Sequence, residues 1–135
     1  MGYYMYQFKT KFHIDGEHIP EVFKALCRYD NAIRIAHGID EKKYKNVDEV
    51  LLNYDWYFDY DQEDNVIDIT FEGEKYREDE KMLNVLAPYV EKGSYIIMVG
   101  EDGSIWCWHF DRERCESYNG VLSFDELPEL GHITL

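Results

Sequence analysis

The run Leu52-Asn53-Tyr54-Asp55-Trp56-Tyr57-Phe58-Asp59-Tyr60-Asp61-Gln62-Glu63-Asp64-Asn65-Val66-Ile67-Asp68-Ile69-Thr70-Phe71-Glu72 decides how this chain folds. Leu52, Tyr54, Trp56, Phe58 and Tyr60 alternate with Asn53, Asp55, Tyr57, Asp59 and Asp61. After Asp61-Gln62-Glu63-Asp64 the alternation resumes, with Ile67, Ile69 and Phe71 set against Asp68, Thr70 and Glu72. A period of two belongs to a half-buried strand, so the run reads as a hairpin. Placing Phe58 opposite Ile67, Trp56 opposite Ile69 and Tyr54 opposite Phe71 buries the apolar set together. A slip of one residue would turn Asp68 inward. This register gathers Asp55, Tyr57, Asp59, Asp68 and Glu72 on the outer face, with Asp61 at its end.

Upstream, residues 3–14 also alternate: Tyr4, Tyr6, Phe8, Phe12 and Ile14 on one face, Gln7, Lys9, Lys11 and His13 on the other. Pro20 suits a helix start, Val22, Phe23, Leu26 and Cys27 follow at helical spacing, and Gly38 is a stop signal. Residues 39–47 are polar and basic and read as a loop. Downstream, Met82, Leu83, Leu86 and Val90 mark a helix over about 79–91, shortened or kinked by Pro88 and ended by Gly93. Asp102-Gly103 then signals a two-residue hairpin turn. It would pair Val99 with Trp106, Ile97 with Trp108 and Tyr95 with Phe110. The reverse face would carry Ile96, Met98, Ile105 and Cys107. A hairpin apolar on both sides belongs in the sheet centre or under a cover. A shorter strand over Arg114–Tyr118 and the tail Val121–Leu135, broken by Pro128, are candidates for that cover. The whole, 1–135, reads as one α+β domain, mostly antiparallel with two helices. It resembles the ferredoxin-like βαββαβ arrangement with an added C-terminal strand.

The chain has 135 residues, 28 Asp+Glu against 14 Lys+Arg, and a formal charge of −14. The charge is uneven. Residues 1–47 hold 8 basic and 6 acidic side chains, whereas residues 48–80 hold 2 basic and 13 acidic ones. Such a surface argues against direct nucleic-acid binding, which needs a basic face, and against docking on an anionic membrane. No run approaches the roughly 18 apolar residues of a membrane span. Met1-Gly2-Tyr3-Tyr4-Met5-Tyr6 lacks the features of a secretory leader. Three cysteines, Cys27, Cys107 and Cys115, at irregular spacing argue against a disulfide framework and fit a reducing cytoplasm.

Catalytic patterns are absent from the sequence. There is no glycine-rich phosphate loop and no recognisable Cys–His or Ser–His–Asp order. The run Asp59–Asn65 carries acids at alternate positions but lacks the central Gly and closing Glu of a calcium loop. Cys107 and His109 share a strand face, but zinc would need two more ligands. The expectation is therefore a binding protein rather than an enzyme, with no metal and no cofactor. A row of carboxylates along a strand imitates phosphate spacing. Interleaved tyrosines are favoured contact residues.

The segment Leu86-Ala87-Pro88-Tyr89-Val90-Glu91-Lys92-Gly93-Ser94-Tyr95-Ile96, continued by Gly100-Glu101-Asp102-Gly103-Ser104-Ile105-Trp106-Cys107-Trp108-His109-Phe110, resembles a pattern in short acidic accessory proteins of Firmicutes bacteria, their phages and mobile elements. The resemblance covers the C-terminal half and brings no catalytic residues. It implies a setting in which small acidic inhibitors of host defence, of anti-CRISPR or antirestriction type, are common. The expected partner is a basic nuclease or DNA-binding protein, contacted by Asp55, Tyr57, Asp59, Asp61, Asp68 and Glu72. The alternative is an immunity-type accessory protein that binds a partner, or itself as a homodimer, through Ile96, Met98, Ile105 and Cys107.

Overall fold

Alternating and helical patterns in the sequence become two sheets and three α-helices in the computed structural model, which describes residues 2–124 and 131–134, with side chains through Val121. In chain order the elements are β1 (Met5–Lys11), α1 (Ile19–Ala36), α2 (Val47–Leu52), β2 (Trp56–Tyr60), β3 (Val66–Phe71), α3 (Glu80–Leu86), β4 (Tyr95–Gly100), β5 (Ile105–Phe110), β6 (Cys115–Phe124) and β7 (Gly131–Thr134). One sheet runs β1-β4-β5-β6-β7 and β2-β3 forms a second, with every pairing antiparallel. The fold is α+β, as its patterning indicates. Three strands follow β4, and the hairpin β2-β3 stands in a sheet of its own.

The two sheets nevertheless meet along a seam. Isolated bridges join Tyr4 to Lys75 and Ile14 to Val66. Between these ends the Gln7 side chain substitutes for a strand: its amide donates to the Ile69 carbonyl at 2.8 Å and accepts from the Phe71 N–H at 2.8 Å. Across the seam the neighbours are β2-β3-β1-β4, the ferredoxin-like order, extended by β5, β6 and β7.

Two register shifts and one loop length correct three details of the sequence reading. In β1 the register shifts between Gln7 and Lys9. The extra residue, Phe8, changes which side of the strand faces in. Met5 is buried ahead of it and Phe12 and Ile14 beyond it, while Tyr6 and Phe8 are 63% and 59% exposed. In the acidic hairpin the partners are Trp56 with Phe71, Phe58 with Ile69, and Asp59 with Asp68. A shift then places Tyr60 opposite Val66, so Ile67 is left over and is 50% exposed while Val66 is buried. The expected pairing of Phe58 with Ile67 is two residues off, which keeps Trp56, Phe58 and Ile69 inward because the strand period is two, but Ile67, expected inward, is turned out by the shift and Val66 takes its place.

The third detail reverses a face. Val99 pairs with Ile105, Met98 with Trp106, Ile97 with Cys107 and Ile96 with Trp108. The connection is a three-residue loop, Glu101–Gly103. The Gly103 N–H donates to the Gly100 carbonyl at 3.0 Å, and Gly103 sits at φ +84°. A left-handed residue closing a three-residue loop adds one residue over the two-residue turn expected. Ile96 and Met98 consequently face the core, while Ile105 and Cys107 face the other side with Ile97 and Val99. The proposed self-pairing face of Ile96, Met98, Ile105 and Cys107 does not exist as one surface. Cover by the tail residues 122–135 concerns side chains outside the described set.

Helix α1 starts with Pro20 in its first turn and stops at Gly38, φ +72°, whose successor Ile39 donates its N–H to the Arg34 carbonyl at 2.8 Å. Helix α2 was not anticipated. The Asn46 side chain accepts from the Glu49 N–H at 2.9 Å, and Val47, Val50 and Leu51 point inward. Pro88 ends α3 early, in a short 3-10 turn over Ala87–Tyr89. All three helices contribute to one core with Trp56, Phe58, Ile69, Met98, Trp108 and Phe110. None of the helices described is long and apolar enough to cross a membrane.

Candidate functional site

The outer face of β2-β3 holds most of the acids singled out from the sequence, but it uses them differently. Asp59 and Asp68 stand directly opposite one another. Thr70 donates its hydroxyl to Asp59 at 3.0 Å, and Asp68 takes the Ile69 N–H at 2.9 Å. Partial burial raises the Asp68 carboxyl above its ordinary range; the Ile69 N–H opposes that, and the Asp59 charge adds to it. Tyr57 lies opposite Thr70, half-buried, and Glu72 follows exposed at the strand end. Tyr57, Asp59, Asp68 and Glu72 thus form the array the sequence suggests.

Two members are diverted. Asp55 joins α2 to β2 with φ +67° and pairs with the Arg77 guanidinium. Asp61 works as the hairpin's internal cap, accepting from the Glu63 N–H at 2.8 Å and the Asn65 N–H at 2.9 Å. The Asn65 N–H is the main reason its carboxyl sits below the usual range. Asp61 is therefore a turn-forming residue first. The array is bounded as well as trimmed. A groove of about 280 Å³ at the seam, lined by Lys11, His13, Asp68, Glu91 and Lys92, brings cationic side chains up to its β1 side.

Lys11 and Lys92 stand across that groove from Asp68 without pairing directly with the acids of this face. Among the described residues, Lys or Arg makes ion pairs only in Arg77–Asp55, Lys81–Glu78 and Arg114–Glu116. Asp59, Asp68 and Glu72 have no such partner. Like charges directly opposite on a strand pair are destabilising.

Elsewhere, structure brings together groups that the sequence left apart. Asp30, on the inner face of α1, accepts hydroxyl bonds from Tyr44 and from Tyr54, the latter at 2.7 Å. Burial, then the bond to Asp30, pushes the Tyr44 hydroxyl up to about 12 and raises Tyr54 as well. Asp79, 5% exposed, accepts from Trp56 Nε1 at 2.9 Å and the Arg77 N–H at 3.0 Å. Burial raises its carboxyl despite those two bonds. No periodicity announces either aspartate, because an acid on an apolar helix face or at a helix start has no distinguishing pattern. Cys107 and His109 share the sheet face turned away from the core, where Cys107 is nonetheless buried, and burial lifts its thiol to about 11, away from the thiolate a metal needs. Cys115 sits opposite Phe110 on the other face, as its spacing indicates. Among the described residues, the metal-ligating side chains that converge are Asp15, Glu17 and His18, with ligand atoms within 4.8 Å of one another. The sequence reading gave that trio no role.

No protein-family profile, no curated protein and no solved structure matches this chain.

Proposed function

We propose that this chain is a small acidic binding protein that docks a basic, nucleic-acid-handling partner through Tyr57, Asp59, Asp68 and Glu72, taking the place of phosphates in that partner's groove. The observation that supports this reading is the Asp59–Asp68 pair, set side by side on an outer strand face with no cationic partner. Holding two carboxylates there costs stability, and a basic partner supplies the missing counter-charge. The accessory-protein setting suggested by the C-terminal half accommodates an inhibitor of a defence nuclease. In this reading Asp55 and Asp61 act indirectly, Asp55 fixing the strand entrance through Arg77 and Asp61 shaping the turn.

Capture of a nuclease or DNA-binding protein from a bacterial host, with Asp59→Asn/Asp68→Asn/Glu72→Gln as control, tests this. The expected partner binds the native chain, is released between about 0.1 and 0.5 M salt, competes with duplex DNA, and is lost by the triple variant. A partner retained equally by the variant, or indifferent to salt and DNA, overturns the proposal. A second reading, pairing through an apolar surface, rests on the exposed β1 rings of Tyr6 and Phe8 rather than on Ile96 and Met98. Solution mass that stays monomeric at all concentrations removes it.

A further inference from the structure

A second recess lies on the helix-bearing side, built from residues outside the acidic hairpin. It is a shallow, open recess of about 380 Å³ between the start of α3 and strands β5 and β6, lined by Tyr3, Tyr76, Trp106, Glu80, Ser117 and Asn119 among others. The Tyr3 and Trp106 ring centroids are 6.3 Å apart at 39°. Trp108 packs edge-on behind Trp106 at 5.9 Å. Tyr3 is anchored at its hydroxyl by Asp102. It also crosses Gly100 so closely that a β-carbon there would collide with the ring.

Glu80 provides the charge. One carboxylate oxygen accepts from the Tyr76 hydroxyl at 2.6 Å, the other from Trp108 Nε1 at 3.0 Å. These two bonds fix the carboxylate against aromatic walls yet leave acceptor sites free, since each oxygen takes more than one bond. Among the described residues Glu80 has no ion-pair partner. The lysines that lie over rings do so elsewhere, Lys42 on Tyr44 and Lys75 on Tyr4.

We propose that this recess binds an organic ammonium ion, with Tyr3, Tyr76 and Trp106 as its aromatic walls and Glu80 as its counter-charge. Aromatic faces attract cations even at a solvent-open site, and an alkylated ammonium, weakly hydrated, loses least on approaching them. A single carboxylate supplies too few ligands for a metal ion, and it repels anions. The net charge of −14 draws cations towards the surface in general. The inference stands apart from the hairpin face: none of its residues belongs to that array.

Choline is the probe, and the uncharged isostere 3,3-dimethyl-1-butanol is its control. The readout is the set of indole N–H resonances of Trp56, Trp106 and Trp108. Choline is expected to shift the Trp106 and Trp108 signals with a millimolar midpoint, leaving Trp56 unmoved. The neutral alcohol should bind about tenfold more weakly or not at all. Glu80→Gln is expected to weaken choline by about tenfold. Ser117→Asp, at the exposed rim, should strengthen it. No shift up to about 0.1 M choline, or equal binding of choline and the alcohol, overturns the proposal. The ligand comparison is made on the native chain, so it decides the matter even where a variant fails to fold.

Discussion

Gln7 shows how much can rest on one side chain. It replaces a stretch of backbone pairing between β1 and β3, donating to Ile69 and accepting from Phe71. A leucine of similar size would leave a half-buried carbonyl and N–H without partners, and unsatisfied groups cost about 1–3 kcal/mol each. Gln7→Leu is therefore expected to lower unfolding stability by about 2–4 kcal/mol, read as a lower urea midpoint at unchanged slope. Gln7→Glu, which keeps the acceptor but sets an oxygen against the Ile69 carbonyl, should fall between the two. A native midpoint in Gln7→Leu would show that water satisfies the seam. In the sequence Gln7 is only the polar member of an alternating strand, and nothing in its neighbours marks it as a bridge. Phe8 was misread for a related reason: a bulge leaves composition untouched while reversing the inward parity.

Among the elements, those with their own punctuation were legible. Pro20 and Gly38 bracket α1, and Pro88 sets the end of α3. The β2-β3 hairpin was legible in its faces, since Trp56, Phe58 and Ile69 are buried, though not in its pairing, because the shift at Asp59/Tyr60 depends on turn geometry. Helix α2 carried a signal that was overridden. Asn46 and Glu49 have capping spacing ahead of Val47, Val50 and Leu51, but the alternation of Leu52 and Tyr54 with the strand beyond was more conspicuous. Leu52 is instead exposed and Tyr54 bonds Asp30. Asn46→Ala is expected to cost about 1 kcal/mol, seen as a lower thermal midpoint. Asn46→Asp should retain stability, because it keeps the acceptor and adds a charge that the helix start favours. The β4-β5 reversal has the same origin as the hairpin error: Asp102-Gly103 announces a turn, while the number of residues in that turn is set by whether Gly103 closes it alone in the left-handed region.

At the scale of the whole molecule, charge governs the response to pH. Asp48, Asp68 and Asp79 are all raised, with burial as the leading cause. A carboxyl raised on folding binds its proton more readily in the native state, so its contribution is present below the ordinary value and is lost as pH rises through the raised one. Acidification from pH 7 towards about 5 should thus increase the thermal midpoint, helped by relief of the −14 charge. Below that window the sign reverses. Asp61, Asp102 and Asp111 are held low by hydrogen bonds and lose their contribution once protonated. A midpoint lower at pH 5 than at pH 7 would contradict this. The seam between β1 and β3 gives the molecule a mechanical grain. That line is held by bridges at its two ends and an amide in the middle, whereas the five remaining strands are laced along their length. Along this line the hairpin is held by Trp56, Phe58, Val66 and Ile69, which share one core with the helices and with Met98, Trp108 and Phe110, more than by backbone pairing.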